Sequence, residues 1–289
     1  MGLVDGKVVI ITGAGGGLGR QHALLLAKEG ASIVVNDLGG TREGGGGGTA
    51  MADQVVDEIR SAGGEAAANY ESVSTLQGGE KILQAALDAF GRVDILINNA
   101  GILRDKSLAN MDEEMWDKVI EVHLKGTYCV TRPVFAHLKE AGHGGVIVST
   151  SSTSGLYGNF GQANYSAAKA GIAGFTRTLA IEGQKYNIRA WGLVPVAHTR
   201  MTADLPGMMS GEAADRLDPA KVSPAVLYMV SDLSKDKTGK FLYAAANHIA
   251  EITVIQSEGF TCEAGVTAQD IADNESVIFL PEHERRPLG

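Results

Sequence analysis

Thr12-Gly13-Ala14-Gly15-Gly16-Gly17-Leu18-Gly19 stands between an apolar β-branched run, Val8-Val9-Ile10-Ile11, and a helical pattern that continues to Lys28. A helix beginning near Leu18 is predicted to stop at Gly30, because the left-handed backbone that ends a helix favours glycine. Gly13 permits the tight turn, Gly17 lets the backbone approach a pyrophosphate, and Gly19 allows the helix to pack close to the strand. The unpaired amides of the helix's first turn attract phosphate charge. A structural turn explains any one of these glycines, but strand, loop and helix in register point to a nucleotide-binding crevice.

Outward from this stretch, apolar runs alternate with helical ones. Ile33-Val34-Val35, Val93-Asp94-Ile95-Leu96-Ile97, Val146-Ile147-Val148 and Arg189-Ala190-Trp191-Gly192-Leu193-Val194 read as further strands, and residues 51–62, 82–90, 113–139 and 165–186 as the main helices. This order predicts an α/β fold of Rossmann type: a doubly wound parallel sheet with helices on both faces. One domain over residues 1–260 is expected, followed by an irregular, acidic extension over 261–289. That extension carries Val277-Ile278-Phe279-Leu280-Pro281, an apolar patch suited to docking on the body or on a neighbouring subunit.

Asp37 closes the second strand eighteen positions after Gly19. A carboxylate there can accept hydrogen bonds from an adenosine ribose and repel a 2′-phosphate. Asp37 therefore favours NAD over NADP, against the alternatives of a solvated turn aspartate or of Arg20 or Arg42 serving a phosphate. Gly39-Gly40 and the glycine run 44–48 form an insertion too costly in backbone entropy for regular structure. It reads as a mobile surface loop, with a phosphate cradle as the alternative.

The 289 residues carry a formal charge of -9, with 44% hydrophobic and 20% charged side chains. That composition supports a sizeable core. The acidic balance argues against general affinity for nucleic acid or anionic membranes. Cys129 and Cys262 lack the spacing of a metal site or a redox pair, so free thiols and no bound metal are expected. The N-terminus has no signal-like pattern and no apolar run reaches about 18 residues, which predicts a cytoplasmic protein without a membrane span.

Tyr165 and Lys169 stand four apart in Tyr165-Ser166-Ala167-Ala168-Lys169, so a helix puts them on one face. An ammonium beside a phenol stabilises tyrosinate and is predicted to lower the tyrosine pKa toward working pH. An isolated pair like this reads as an exposed helix face, but Ser152 lies thirteen residues earlier, at the end of the fourth apolar run.

Gly13, Gly17 and Gly19, Asn98-Asn99-Ala100-Gly101, Ser152, Tyr165 and Lys169 together resemble the motif set of the short-chain dehydrogenase/reductase family, over roughly residues 5–245. The resemblance implies hydride transfer between a secondary alcohol or ketone and NAD. It implies that Tyr165 removes the hydroxyl proton, that Ser152 orients the substrate oxygen, and that Lys169 binds the nicotinamide ribose while tuning Tyr165. Val34-Val35-Asn36-Asp37-Leu38-Gly39-Gly40, Gly158-Asn159-Phe160-Gly161-Gln162-Ala163-Asn164-Tyr165 and Arg200-Met201-Thr202 are similar to the dehydrogenase unit of the peroxisomal multifunctional enzymes of type 2. That unit acts on 3-hydroxyacyl-CoA thioesters. By this resemblance Leu18, Asn99, Ala100 and Gly101 join the cofactor site, Ser72 and Val73 border the adenine, and Ala197 and Thr199 approach the nicotinamide. The unit is expected to stand alone, without a fused hydratase domain, and to form a homo-oligomer through the helices 113–139 and 165–186.

Two departures stand out. Many family members carry an asparagine where this chain has His123, in Glu121-Val122-His123-Leu124-Lys125-Gly126; histidine there either relays protons from Lys169 or packs as a satisfied core residue. The frequent Pro-Gly pair after the next strand is Pro195-Val196 here. Between 199 and 222, where the family places its substrate lid, Met201, Leu205, Met208 and Met209 suit a broad apolar ligand or simply pack the lid. Three readings follow: a 3-hydroxyacyl-CoA dehydrogenase, a hydroxysteroid or other secondary-alcohol dehydrogenase, and a non-catalytic NAD-binding regulator. Retention of Tyr165 and Lys169 argues against the last.

Overall fold

The computed structural model describes residues 2–199 and 215–280. Strand β1 (Val8–Thr12) is buried along its whole length. Its side chains alternate, so that Val9 and Ile11 enter one apolar layer while Val8 and Ile10 enter the other. Strands β2 (Ser32–Asn36), β3 (Glu65–Asn69), β4 (Ile95–Asn98), β5 (Gly145–Thr150), β6 (Ile188–Val196) and β7 (Lys240–Ala245) continue it in parallel. With β8 (His248–Ile252) at the edge, the order is β3-β2-β1-β4-β5-β6-β7-β8. Strands apolar on both faces need helices on both sides, and this is the Rossmann-type α/β fold that the alternation predicts.

Successive strands move one way from β1 to β3 and the other way from β4 onwards. A crevice therefore opens at the carboxyl ends of β1 and β4, where such sheets bind ligands. Helix α1 (Gly17–Lys28) starts at this point and stops before Gly30, whose φ is 92°. Helix α2 (Ala50–Ser61) lies within one residue of its expected bounds.

Helix α3 (Leu76–Phe90) begins six residues earlier than residues 82–90 suggest. Thr75 caps it, its Oγ1 accepting from Gly78 N at 3.0 Å. Gly78 and Gly79 are poor helix formers, but they let α3 approach its neighbours closely. The segment 113–139 is three pieces: α4 (Glu113–Ile120), a π turn (Glu121–Lys125) and α5 (Gly126–Ala141). Pro133 of α5 has no N–H for the Cys129 carbonyl, and a Cβ on Gly79 would lie 2.0 Å from that oxygen. Helix α6 (Thr153–Tyr157) leads to α7 (Ala163–Gly183), which ends in a 3₁₀ turn, Gln184–Tyr186; α8 (Ser223–Val230) follows β6 and packs in the layer that holds Val9 and Ile11.

Strands β3, β7 and β8 were not foreseen. Glu65-Ala66-Ala67-Ala68-Asn69 has no β-branched residue, and pairing with β2 makes it a strand. The chain divides into two compact units, Met1–Glu251 and Ile252–Gly289. In the second, the stretch expected to be irregular contains α9 (Ala268–Asp273), opened by a Thr267/Asp270 capping box, and α10 (Glu275–Ile278). Among the described residues no helix is long and apolar enough to cross a membrane.

Candidate active site

A crevice of about 410 Å³ lies at the switch between β1 and β4. Gly13, Gly17, Leu18, Asp37, Ser72, Val73, Asn99, Ala100, Gly101 and Thr199 line it. Gly19 and Ala197 are not part of this lining; a Cβ on Gly19 would lie 2.2 Å from the Gly13 carbonyl, so only glycine lets α1 come this close. Asn99 Nδ2 donates to Thr12 O and Gly13 O, both at 3.0 Å, and the Asn99 and Ala100 amides donate to Thr12 Oγ1 at 3.1 Å. The asparagine motif after β4 thus clamps the glycine turn after β1. Thr12, whose hydroxyl receives both amides, was missed in the sequence because a threonine ending a strand is unremarkable by itself.

The crevice fits a dinucleotide. The N-terminus of α1 has no side-chain cap, which leaves its first amides for phosphate oxygens. Asp37 accepts from Gly15 N at 2.8 Å and from Gly39 N at 2.7 Å, and each oxygen keeps a second acceptor site. Arg20 pairs instead with Glu58. The glycine-rich loop after β2 lies along the crevice. Gly40, Thr41, Arg42, Gly44 and Gly46 form one wall of the crevice, and the loop is held down by Leu103 N donating to Arg42 O at 3.0 Å and Arg104 Nε donating to Glu43 O at 2.9 Å. Backbone bonds to a fixed neighbour offset the entropy that the glycines cost.

Gly101 joins the crevice to the polar cluster beside it. A Cβ there would lie 2.3 Å from His123 Cε1, so this glycine makes room for the imidazole. His123, in the π turn, is buried and stands edge-on to Tyr165 with ring centroids 5.2 Å apart. Its Nε2 lies 3.0 Å from Ile102 N and 2.7 Å from Ile102 O, while Nδ1 has no partner. Ser152, which caps α6, acts on the Tyr165 phenol and favours its ionised form. Lys169 Nζ donates to Thr150 O at 2.6 Å and sits 5.5 Å from the centroid of the Tyr165 ring. Asn164 fixes the start of this face: its Nδ2 donates to Arg104 O and Met115 O at 3.0 Å, and its Oδ1 accepts from Tyr165 N at 2.7 Å.

The electrostatics differ from what a spacing of four implies. Burial pushes the Tyr165 phenol up to about 12; Ser152 opposes this and the Asp105 charge adds to it. Burial lowers Lys169 to about 7, and burial with the Lys169 charge lowers His123 to about 3. Lys169 Nζ lies over the ring and is bonded to Thr150, and burial holds the phenol high. Ser152, Tyr165, Lys169 and His123 therefore meet at one end of the crevice, while Arg200, Met201, Leu205, Met208 and Met209 fall outside the described residues.

Residues 7–209 match the short chain dehydrogenase family. The chain belongs to this family. A short-chain type dehydrogenase/reductase of Mycobacterium tuberculosis is 48% identical over 269 residues, covering 93% of this chain and 92% of that protein. The peroxisomal multifunctional enzyme type 2 of Drosophila melanogaster is 47% identical over 255 residues, 88% of this chain and 41% of the enzyme. In the solved structure of that enzyme, the match covers 99% of this chain and 47% of that one, with a TM-score of 0.78 at 36% identity. This chain thus spans less than half of that multifunctional enzyme. Carveol dehydrogenase from Mycobacterium avium, solved in complex with NAD, gives a TM-score of 0.77 at 26% identity over 84% of this chain and 97% of that one. As a short-chain dehydrogenase, the protein is an oxidoreductase acting on CH–OH groups of a small molecule with a nicotinamide cofactor.

Proposed function

We propose that this short-chain dehydrogenase oxidises 3-hydroxyacyl-CoA thioesters with NAD, and that Tyr165 moves the hydroxyl proton. The observation that carries the reading is the packing of Lys169 and His123 against the Tyr165 ring, at 5.5 and 5.2 Å, with Ser152 acting on the same phenol, next to the glycine crevice. Relatedness to the multifunctional enzymes favours the thioester class. The exposed Phe160 and Tyr157, close in sequence before Tyr165, suit an acyl chain. Asp37 favours NAD, since a 2′-phosphate would face its carboxylate.

A nicotinamide cofactor held by the crevice of Gly13, Gly17, Asn99 and Ala100 would supply the acceptor for the hydride of the carbinol carbon. Ser152 and Tyr165 hold the reacting oxygen between two hydroxyls. Tyr165 accepts its proton during oxidation and returns it during reduction. Lys169, with a pKa near neutrality, holds and releases a proton at Nζ at little cost. His123 serves the path from Lys169, because a neutral imidazole can take a proton on one nitrogen and release it from the other. Exposed Tyr128 on α5 and Ile181 on α7 suit a homo-oligomeric contact through those helices.

The test follows formation of reduced nicotinamide with (3R)-3-hydroxyacyl-CoA esters of several chain lengths, hydroxysteroids and simple secondary alcohols, with NAD and with NADP. Preference for the thioesters and NAD is expected; a hydroxysteroid turned over with higher kcat/KM would reassign the substrate. Tyr165→Phe is expected to keep NADH affinity and lose turnover, and near-normal activity would refute the role of Tyr165.

A further inference from the structure

A hydrogen-bond chain leads from Ser152 away from the crevice. Ser154 N donates to Ser152 Oγ at 3.2 Å, and Ser154 Oγ donates to Gln162 Oε1 at 2.8 Å. Asn159 Nδ2 donates to the same Oε1 at 3.0 Å, so the oxygen of this buried amide is committed on one side. Gln162 Nε2 then donates to Asp105 Oδ2 at 2.7 Å. Flipping the amide would set Nε2 against Asn159 Nδ2 and Oε1 against the Asp105 carboxylate, so Asp105 and Asn159 together fix its orientation. Gln162 is also the residue from which α7 starts, three before Tyr165, with its carbonyl accepting from Ser166 N at 2.7 Å. A parallel bridge pairs Lys106 with Gln162, and Lys106 N donates to Gly161 O at 2.8 Å. The segment after β4 and the loop before α7 are thus stitched together at Asp105.

We propose that Asp105 is a positioning residue for this reaction, acting through Gln162 on the loop that seats Ser152 and Tyr165 and through its charge on the phenol. The inference rests on the reading of Tyr165 as acid/base. Asp105 Oδ1 is buried and has no partner, which leaves a carboxylate facing the interior with a single side-chain hydrogen bond from Gln162. Its negative charge opposes ionisation of Tyr165, which burial already disfavours. The other groups that bear on the phenol are Ser152 after β5, Lys169 on α7 and His123 in the π turn; Arg42, from the loop after β2, acts on Asp105. The carboxylate adds to the burial that keeps the tyrosine in its protonated form, as reduction of a ketone requires, and so raises the pH at which oxidation begins.

Asp105→Asn keeps an oxygen for Gln162 and removes the charge; Asp105→Ala removes both. With the best-used substrate of the panel, the acidic limb of kcat/KM for oxidation is expected to move to lower pH by about half to one pH unit in Asp105→Asn, with plateau kcat within about threefold of wild type. Lys169, a cation, would move in the same direction, so the sign is the same for both groups. Asp105→Ala is expected to show the same displacement and at least a tenfold loss of plateau kcat, with NADH affinity unchanged in both variants. A purely structural Asp105 would leave the limb of Asp105→Asn superimposed on that of wild type, and this result would overturn the proposal, as would a wild-type plateau in Asp105→Ala. Should Asp105→Ala fail to fold, the limb of Asp105→Asn decides alone. An active Tyr165→Phe would instead remove the reading beneath it, so the two failures are told apart.

Discussion

His22 is a buried, neutral base that the proposed chemistry does not use, and it makes stability depend on pH. It lies in α1, fully buried, with Nδ1 2.8 Å from Ser223 Oγ of α8 and no partner for Nε2. Burial holds its pKa at about 3, against 6.5 for a free imidazole, because the imidazolium would be a buried charge with Nε2 unbonded. As pH falls, the unfolded chain binds this proton first. The contribution of His22 is therefore intact above pH 6.5 and is lost between 6.5 and about 3, at about 1.4 kcal/mol per pH unit. At pH 5 the loss is about 2 kcal/mol. His123 acts in the same direction, so the wild-type slope contains both. His22→Asn keeps a polar partner for Ser223 but cannot titrate. It is expected to be less stable than wild type at pH 7, with the gap closing by about 2 kcal/mol at pH 5. Urea unfolding at pH 7, 6 and 5 reads this as a relative midpoint displacement of roughly 0.7–1 M, for a slope of about 2–3 kcal/mol/M. A gap that stays constant from pH 7 to pH 5 would refute the reasoning.

Asp37→Ala is expected to raise the NADP:NAD ratio of kcat/KM at least tenfold, since both cofactors share the damage to Gly15 and Gly39 and only the repulsion and the ribose contact differ between them. Gly79→Ala is expected to destabilise the protein by about 2 kcal/mol or more in thermal or urea unfolding, because the new methyl meets the Cys129 carbonyl at 2.0 Å and a backbone oxygen in a helix cannot step aside. His123→Ala is expected to lower kcat and alter its pH profile; unchanged turnover and profile would rule out a place for His123 in the proton path.

Local chemistry was legible in the sequence. Glycine turn, helix start and the Tyr165/Lys169 pair are each set by residues within a few positions of one another, and the five β-branched or apolar runs all became strands. What lay hidden was pairing over distance. Asp105 and Gln162 are 57 residues apart, and no periodicity links them. Ala-rich β3 is a strand because β2 offers it an edge, and Gly78 and Gly79 are helical because α3 needs close approach more than it needs propensity. The phenol's raised pKa was missed for a related reason: spacing gives proximity to an ammonium, but direction and burial emerge only when Thr150 and Asp105 are in place.

The π turn at Glu121–Lys125 has a consequence for how this segment can vary. Each residue of a regular helix advances the side chains by about 100°, and a π turn holds one residue more than a regular turn. Helices α4 and α5 therefore cannot be drawn on a single helical wheel. Losing one residue from the turn would restore ordinary winding yet swing α5 round by about 100°, taking Val130, Val134 and Leu138 out of the apolar layer they fill. Substitution can change the imidazole, but the length of this stretch is fixed by the hydrophobic packing that follows it.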